Sequence, residues 1–149
     1  MAAFIKTLLN LNNKADKIFE YKGIDIVCAN SANEANKIIN YYRRDKEYTF
    51  IEYTKSRYSI NSIDQYCGDI NTHKVIGQEF DKVVIFMDNN FMYSDEGHLQ
   101  ANEHPYNNYL FYKLFFQGAS RAREKLCIVV INNPDLFKKI ISIKYSTIQ

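Results

Sequence analysis

The chain is poor in the residues that punctuate or cross-link a structure. Five glycines and two prolines occur among 149 residues, and they are scattered rather than clustered. There is no internal repeat and no low-complexity linker, so a single continuous domain is expected. Three cysteines, Cys28, Cys67 and Cys127, make an odd number without C-x-x-C spacing, which argues for reduced thiols in a cytoplasmic protein rather than a disulfide framework. His73, His98 and His104 do not stand at metal-ligand spacings, so no metal site is expected. No apolar run approaches the ~18 residues of a membrane-spanning helix. The start, Met1-Ala2-Ala3-Phe4-Ile5-Lys6, lacks a signal peptide's charged opening and cleavage site. There is also no G-x-x-x-x-G-K-(S/T): none of Gly23, Gly68, Gly77, Gly97 and Gly118 opens such a loop, so nothing cradles phosphates by that route. The net charge of +2 is too small to argue for nucleic acid by itself.

What is present is a chain with 46% hydrophobic and 24% charged residues, enough to build a real core. Phe4–Asn10 has helical spacing at Phe4, Ile5, Leu8 and Leu9, and a second short helix is expected over Lys14–Glu20. Tyr21-Lys22-Gly23 reads as a turn into a buried strand, Ile24–Ala29. Ser31 with Glu34 three residues on forms a capping box for a helix over Ala32–Arg44. Tyr48–Tyr53, Lys82–Met87 and Leu126–Ile131 read as further strands, and Tyr106–Gly118 as an aromatic-rich helix. Between them, Ser56–Thr72 reads mostly as loop and Asp88–Pro105 as a long excursion. Asn133 caps a last helix with Pro134 at its first position, to about Ile141, and a short strand is expected over Ser142–Tyr145. Strands alternating with helices, several apolar on both faces, predict an α/β fold with a mostly parallel sheet covered on both sides.

Two segments concentrate chemistry. Thr72-His73-Lys74-Val75-Ile76-Gly77-Gln78-Glu79-Phe80-Asp81 runs into the strand Lys82–Met87. Ser120-Arg121-Ala122-Arg123-Glu124-Lys125-Leu126 runs from a helix into the strand Leu126–Ile131. Each puts polar and charged groups at the end of a buried strand, where α/β proteins keep ligand sites. The pair resembles two motifs of the second motor domain of superfamily 1 helicases, of the forms T-x-H-x-x-x-G-x-E-F-D-x-V and (S/T)-R-A-(R)-x-x-L. The likeness covers about Ile24 to Ile141. It is nearest to helicase-like ATPases of unknown function related to the helicase region of schlafen proteins, with Phe91, Tyr93, Leu99 and Pro105 preceding the helix as in that branch. Where the family more often has Gly-Leu-Glu, this chain has Gly77-Gln78-Glu79.

The resemblance implies a three-layer, RecA-like member of the P-loop NTPase folds that lacks the phosphate loop itself. In the complete enzyme such a domain closes on ATP and Mg²⁺ held by an N-terminal phosphate-loop domain in cis, and engages DNA or RNA. It implies that Arg121 reaches the γ-phosphate as the catalytic arginine, a role that suits a planar, permanently charged guanidinium. It further implies that Gly77, Glu79 and Arg123 border the nucleotide, and that Thr72, His73 and Lys74 lie near nucleic acid and couple it to the cleft. Family members also carry a Q-x-R arginine before these elements, which this sequence starts after. A piece of a larger ATPase is therefore expected, inactive alone and binding no cofactor alone; the alternative is a stand-alone, degenerate RecA-like binding or regulatory module.

Two other readings are weaker. Val83–Met87 followed by Asp88 looks like a Mg²⁺-binding strand end, but strands ending in Asp are common in α/β folds. Glu52 and Lys55 look like part of a nuclease site, but their spacing is off by one and no partner acid precedes them. The twelve Tyr and ten Phe are expected mainly in the core, with Tyr41, Tyr42, Arg43, Arg44 and Tyr58 beside Arg57 as candidates for stacking on bases.

Overall fold

The computed structural model describes residues 1–13, 21–54, 70–102 and 110–145. Its elements in chain order are α1 (Ala2–Leu9), β1 (Ile24–Ala29), α2 (Ala32–Arg44), β2 (Thr49–Phe50), β3 (Phe80–Met87), β4 (Phe91–Tyr93), β5 (Leu99–Ala101), α3 (Phe111–Ala119), β6 (Ala122–Ile131) and α4 (Pro134–Tyr145). The expected helix over Lys14–Glu20, most of Ser56–Thr72 and the start of the expected helix Tyr106–Gly118 lie outside the described residues.

Four parallel strands form one sheet in the order β1-β6-β3-β2. The two central strands are the ones with unbroken apolar runs. Val83 to Met87 and Leu126 to Ile131 are all buried, because a parallel sheet covered on both faces leaves no wet side for alternation to express. Side chains alternate across the sheet, and the contacts sort them. Cys127 and its register partner Val84 face α2, since the Cys127 thiol lies 3.4 Å from the Tyr42 hydroxyl. Ile85 points the other way, against Gly118 of α3. The structure is thus an α/β sheet with α2 across one face and α3, together with α1 and α4, on the other.

Local chemistry explains the boundaries. Ser31 Oγ accepts the Glu34 backbone N–H at 3.1 Å, the first half of the expected capping box, while the Glu34 carboxylate reaches one residue further back and accepts from Asn30 N at 2.8 Å rather than from Ser31 N. Asn133 Oδ1 accepts from Leu136 N at 3.2 Å ahead of α4. Three expectations need correction. No strand forms over Ser142–Tyr145: Leu136, Ile140 and Ile143 keep one buried helical face, and α4 continues to Tyr145. The Asp88 excursion folds into the antiparallel hairpin β4–β5, whose turn is fixed to the end of α1 by Leu11 N donating to Gly97 O at 2.9 Å. Finally, β6 starts at Ala122, before its apolar run, because Phe80 pairs with Ala122 and extends the ladder through the charged residues Arg123, Glu124 and Lys125. No helix among the described residues is long and apolar enough to cross a membrane.

The core holds several acids that burial keeps protonated. The Cys127 thiol is pushed up to about 11, chiefly by burial. Burial raises the Tyr53 phenol far above its usual range, with the Asp88 charge adding to it, and burial also raises Tyr93. Tyr53 Oη donates to the Phe86 carbonyl at 2.6 Å. Each folded-state pKa lies above the unfolded one, so the unfolded chain releases these protons first. Stability should therefore be level below pH about 9, the ordinary thiol value, and fall as pH rises toward 11, at about 1.4 kcal/mol for each unit of raised pKa. Urea midpoints across the alkaline range test this; a midpoint that holds steady there contradicts the burial of these groups.

Candidate functional site

The first motif segment begins beside β2. Asn71 forms a parallel bridge with Glu52, and Thr72 N donates to Glu52 O at 2.9 Å. Asn71 then acts as an Asx cap: its Oδ1 accepts from the backbone N–H of His73 and of Lys74, each at 3.2 Å. That starts a single helical turn, with Val75 N donating to Asn71 O at 3.2 Å and Gln78 N to Val75 O at 3.0 Å. Buried Val75 anchors the turn, and Gly77, at φ +77°, reverses the chain toward β3. A Cβ added at Gly77 meets nothing within 4 Å, so the glycine is required by backbone conformation and leaves open space beside it.

Thr72 is fully buried. Its hydroxyl lies 3.1 Å from Thr54 Oγ1, and its methyl faces the α3 backbone at Gly118. His73 is half-buried, with Nδ1 2.6 Å from the same Thr54 hydroxyl, whereas Lys74 is exposed. Thr54 thus joins Asn71, Thr72 and His73 at one oxygen. Sequence reading missed it, since a lone threonine after a strand carries no pattern of its own.

The second segment meets the far end of this loop. Phe80 N donates to Arg121 O at 2.9 Å. Arg121 is half-buried at the C-terminus of α3, where its Nε donates to Gln117 O at 3.1 Å, Nη1 to Gln78 O at 3.5 Å and Nη2 to Ser120 Oγ at 3.3 Å. Three of the five N–H donors are thereby used, and the guanidinium stands against the otherwise open carbonyls of a helix end. Arg123 lies 3.9 Å from Glu79 and 4.0 Å from Asp81, all three strongly exposed. Such pairs add little to stability and leave both charges accessible. The structure therefore brings Gln78, Glu79, Arg121 and Arg123 into one cluster, with His73 and Lys74 one turn earlier on the same loop.

The cluster sits at the amino ends of β3 and β6. That differs from the common α/β arrangement, in which ligands lie beyond the carboxyl ends. At the carboxyl end of β3, Asp88 is buried and organises a turn: its two carboxylate oxygens accept from Asn90 N and Asn90 Nδ2, each at 2.9 Å. Glu52 is also buried, and its Oε1 accepts from Arg43 Nε at 2.8 Å. This ion pair holds Arg43 over the Phe50 ring, 5.7 Å from its centroid, while the residue itself stays exposed. No group of three or more His, Cys, Asp or Glu among the described residues could hold a metal ion.

Comparison of the chain with protein-family models, with curated proteins and with solved structures gave no match.

Proposed function

We propose that the chain is the second, RecA-like motor domain of a superfamily 1 helicase-type ATPase, completing ATP hydrolysis on a phosphate-loop domain of the same polypeptide. The observation that carries this reading is the meeting of the two motif segments, distant in sequence, at the amino ends of adjacent strands: Phe80 N to Arg121 O at 2.9 Å and Arg121 Nη1 to Gln78 O at 3.5 Å. In this reading the nucleotide supplies the phosphoryl group whose transfer spreads negative charge over its oxygens. Arg121 opposes that charge with the N–H groups its helix-end bonds leave over. Arg121 is preorganised by Gln117, Ser120 and Gln78, so little reorganisation accompanies the reaction. Glu79 and Arg123, exposed and paired with each other, stand in the same cluster.

Coupling to DNA or RNA follows from the loop. His73 and Lys74 stand at its start and Gln78 at its end, and the loop's own hydrogen bonds, including Gln78 Nε2 to Lys74 O at 2.8 Å, hold it as one unit. A strand that displaces Lys74 would also move the Gln78 carbonyl on which Arg121 rests. Thr72, fully buried, would act by anchoring this unit rather than by touching the strand.

The deciding experiment is the sequence of the native gene on the 5′ side of the Met1 codon. An in-frame phosphate loop followed by an acidic Mg²⁺-binding strand supports the reading. A gene without either overturns it in favour of a stand-alone binding or regulatory module.

A further inference from the structure

Helix α2 carries a second feature that the ATPase reading does not use. Its inner side is committed: Ala35 and Ile39 are buried, Tyr42 meets Cys127, and Arg43 meets Glu52. Its outer stripe consists of Asn33, Asn36, Lys37, Asn40, Tyr41 and Arg44, all exposed. At 100° per residue these six fall on one continuous face. The face holds three amides, two cations and one phenol, and no carboxylate, in a chain where acids nearly match bases at 17 to 19. The acids at its two ends are engaged with backbone, Glu34 accepting from Asn30 N and Asp45 from Glu47 N, each at 2.8 Å.

Lys37, Asn40, Tyr41 and Arg44, with Asp45, line one shallow groove of about 660 Å³. Tyr41 is 63% exposed, the most exposed large apolar ring among the described residues. It is not loose. Its ring stands perpendicular to Tyr42 with centroids 5.1 Å apart, and Tyr42 is itself braced by Tyr48 at 5.4 Å. A ring held edge-to-face keeps a face free. Neither Lys37 nor Arg44 forms an ion pair with a described residue.

We infer that the outer face of α2 is a contact surface for single-stranded nucleic acid. A base stacks on Tyr41, Lys37 and Arg44 on either side meet successive phosphates, and the asparagines reach base edges or sugar hydroxyls. The exposed aromatic distinguishes this from a duplex site, since the faces of paired bases are already covered by their neighbours. An acidic protein would be met by the two cations alone and would leave the phenol and the amide row without a role. The inference does not rest on the ATPase reading, because binding here needs neither ATP nor a second domain.

The test is fluorescence anisotropy of the full chain with short, labelled, mixed-sequence DNA and RNA strands and with a blunt duplex, at low and moderate salt. Single strands should bind more tightly than the duplex. Tyr41→Ala should weaken binding about tenfold and Tyr41→Phe should preserve it, because stacking uses the ring. Joint replacement Lys37→Ala and Arg44→Ala should flatten the logarithmic salt slope by about 1.4, two phosphates at about 0.7 each. Thermal melting and circular dichroism confirm that each exposed substitution leaves the fold intact. Absence of binding by the wild-type chain, equal binding of the duplex, or wild-type affinity in Tyr41→Ala overturns the inference. A parallel Lys74→Ala variant separates the two surfaces. Loss with Lys74→Ala and none with Tyr41→Ala removes α2 and leaves the coupling loop standing; the reverse keeps α2 and counts against the loop.

Discussion

On the proposed reading, replacing Arg121 by alanine should lower ATP turnover by about 10³-fold in a polypeptide that joins this chain to a phosphate-loop domain. The KM for ATP should change far less, because the interaction strengthens as charge develops in the transition state. Arg121→Lys should not restore turnover: an ammonium cannot reproduce a planar fork that holds Gln117 O, Gln78 O and Ser120 Oγ and still presents further N–H groups. A purely structural role predicts a different outcome. It would show as lower thermal stability with kcat preserved once the protein is folded, since the residue would then serve only the end of α3. Arg123→Ala supplies the contrast. Its ion pairs with Glu79 and Asp81 are long, at 3.9 and 4.0 Å, and exposed, so its loss should leave the melting temperature nearly unchanged. Steady-state kinetics of the three variants decide the matter. Turnover of a folded Arg121→Ala protein within tenfold of wild type would remove the arginine from the chemistry.

The second large effect belongs to the fold. Gly23→Ala should destabilise the protein by about 2–5 kcal/mol, measured by urea unfolding. Gly23 has φ +75°, which costs an L-residue about 1–2 kcal/mol. An added Cβ would also stand 2.4 Å from the Glu124 carbonyl oxygen. That obstacle is backbone and cannot rotate aside, so the strands must part, at about 1–3 kcal/mol more. The parting would strain the bond from Leu126 N to Gly23 O, 2.8 Å long, that opens the β1–β6 pairing. Gly77→Ala isolates the two contributions. Gly77 has nearly the same φ, +77°, with nothing within 4 Å of an added Cβ, so it should cost only the conformational part, about 1–2 kcal/mol. Equal costs at the two positions would refute the backbone clash at Gly23.

Much of the architecture was legible because it follows from local chemistry. The apolar runs Lys82–Met87 and Leu126–Ile131 determined two buried central strands, since no alternation means no wet face. Ser31 with Glu34 determined the start of α2, and Asn133 with Pro134 the start of α4, because cap geometry is a matter of a few neighbouring atoms. The Tyr21-Lys22-Gly23 turn was likewise local. Where the reading failed, a distant partner had decided. Ser142–Tyr145 stayed helical because Ile143 continues the buried face of Leu136 and Ile140. The Asp88 excursion became a hairpin because α1 binds its turn through Leu11 and Gly97.

The candidate site divides along the same line. The sequence by itself picked out the candidate residues, since histidine, arginine and glutamate at those spacings are visible in one dimension. At Gly77, where a glycine permits either close backbone approach or a left-handed turn, the structure has the turn, at φ +77°. The sequence could not say that Thr54 would gather Asn71, Thr72 and His73, that Gln78 would offer its carbonyl to Arg121, or that Arg43 would pair with the buried Glu52 while Arg44 would form no ion pair with a described residue. Those outcomes depend on which strands lie side by side. Only the order β1-β6-β3-β2 brings Phe80 against Ala122, and with that single pairing the two motif segments become one surface at the amino ends of the central strands.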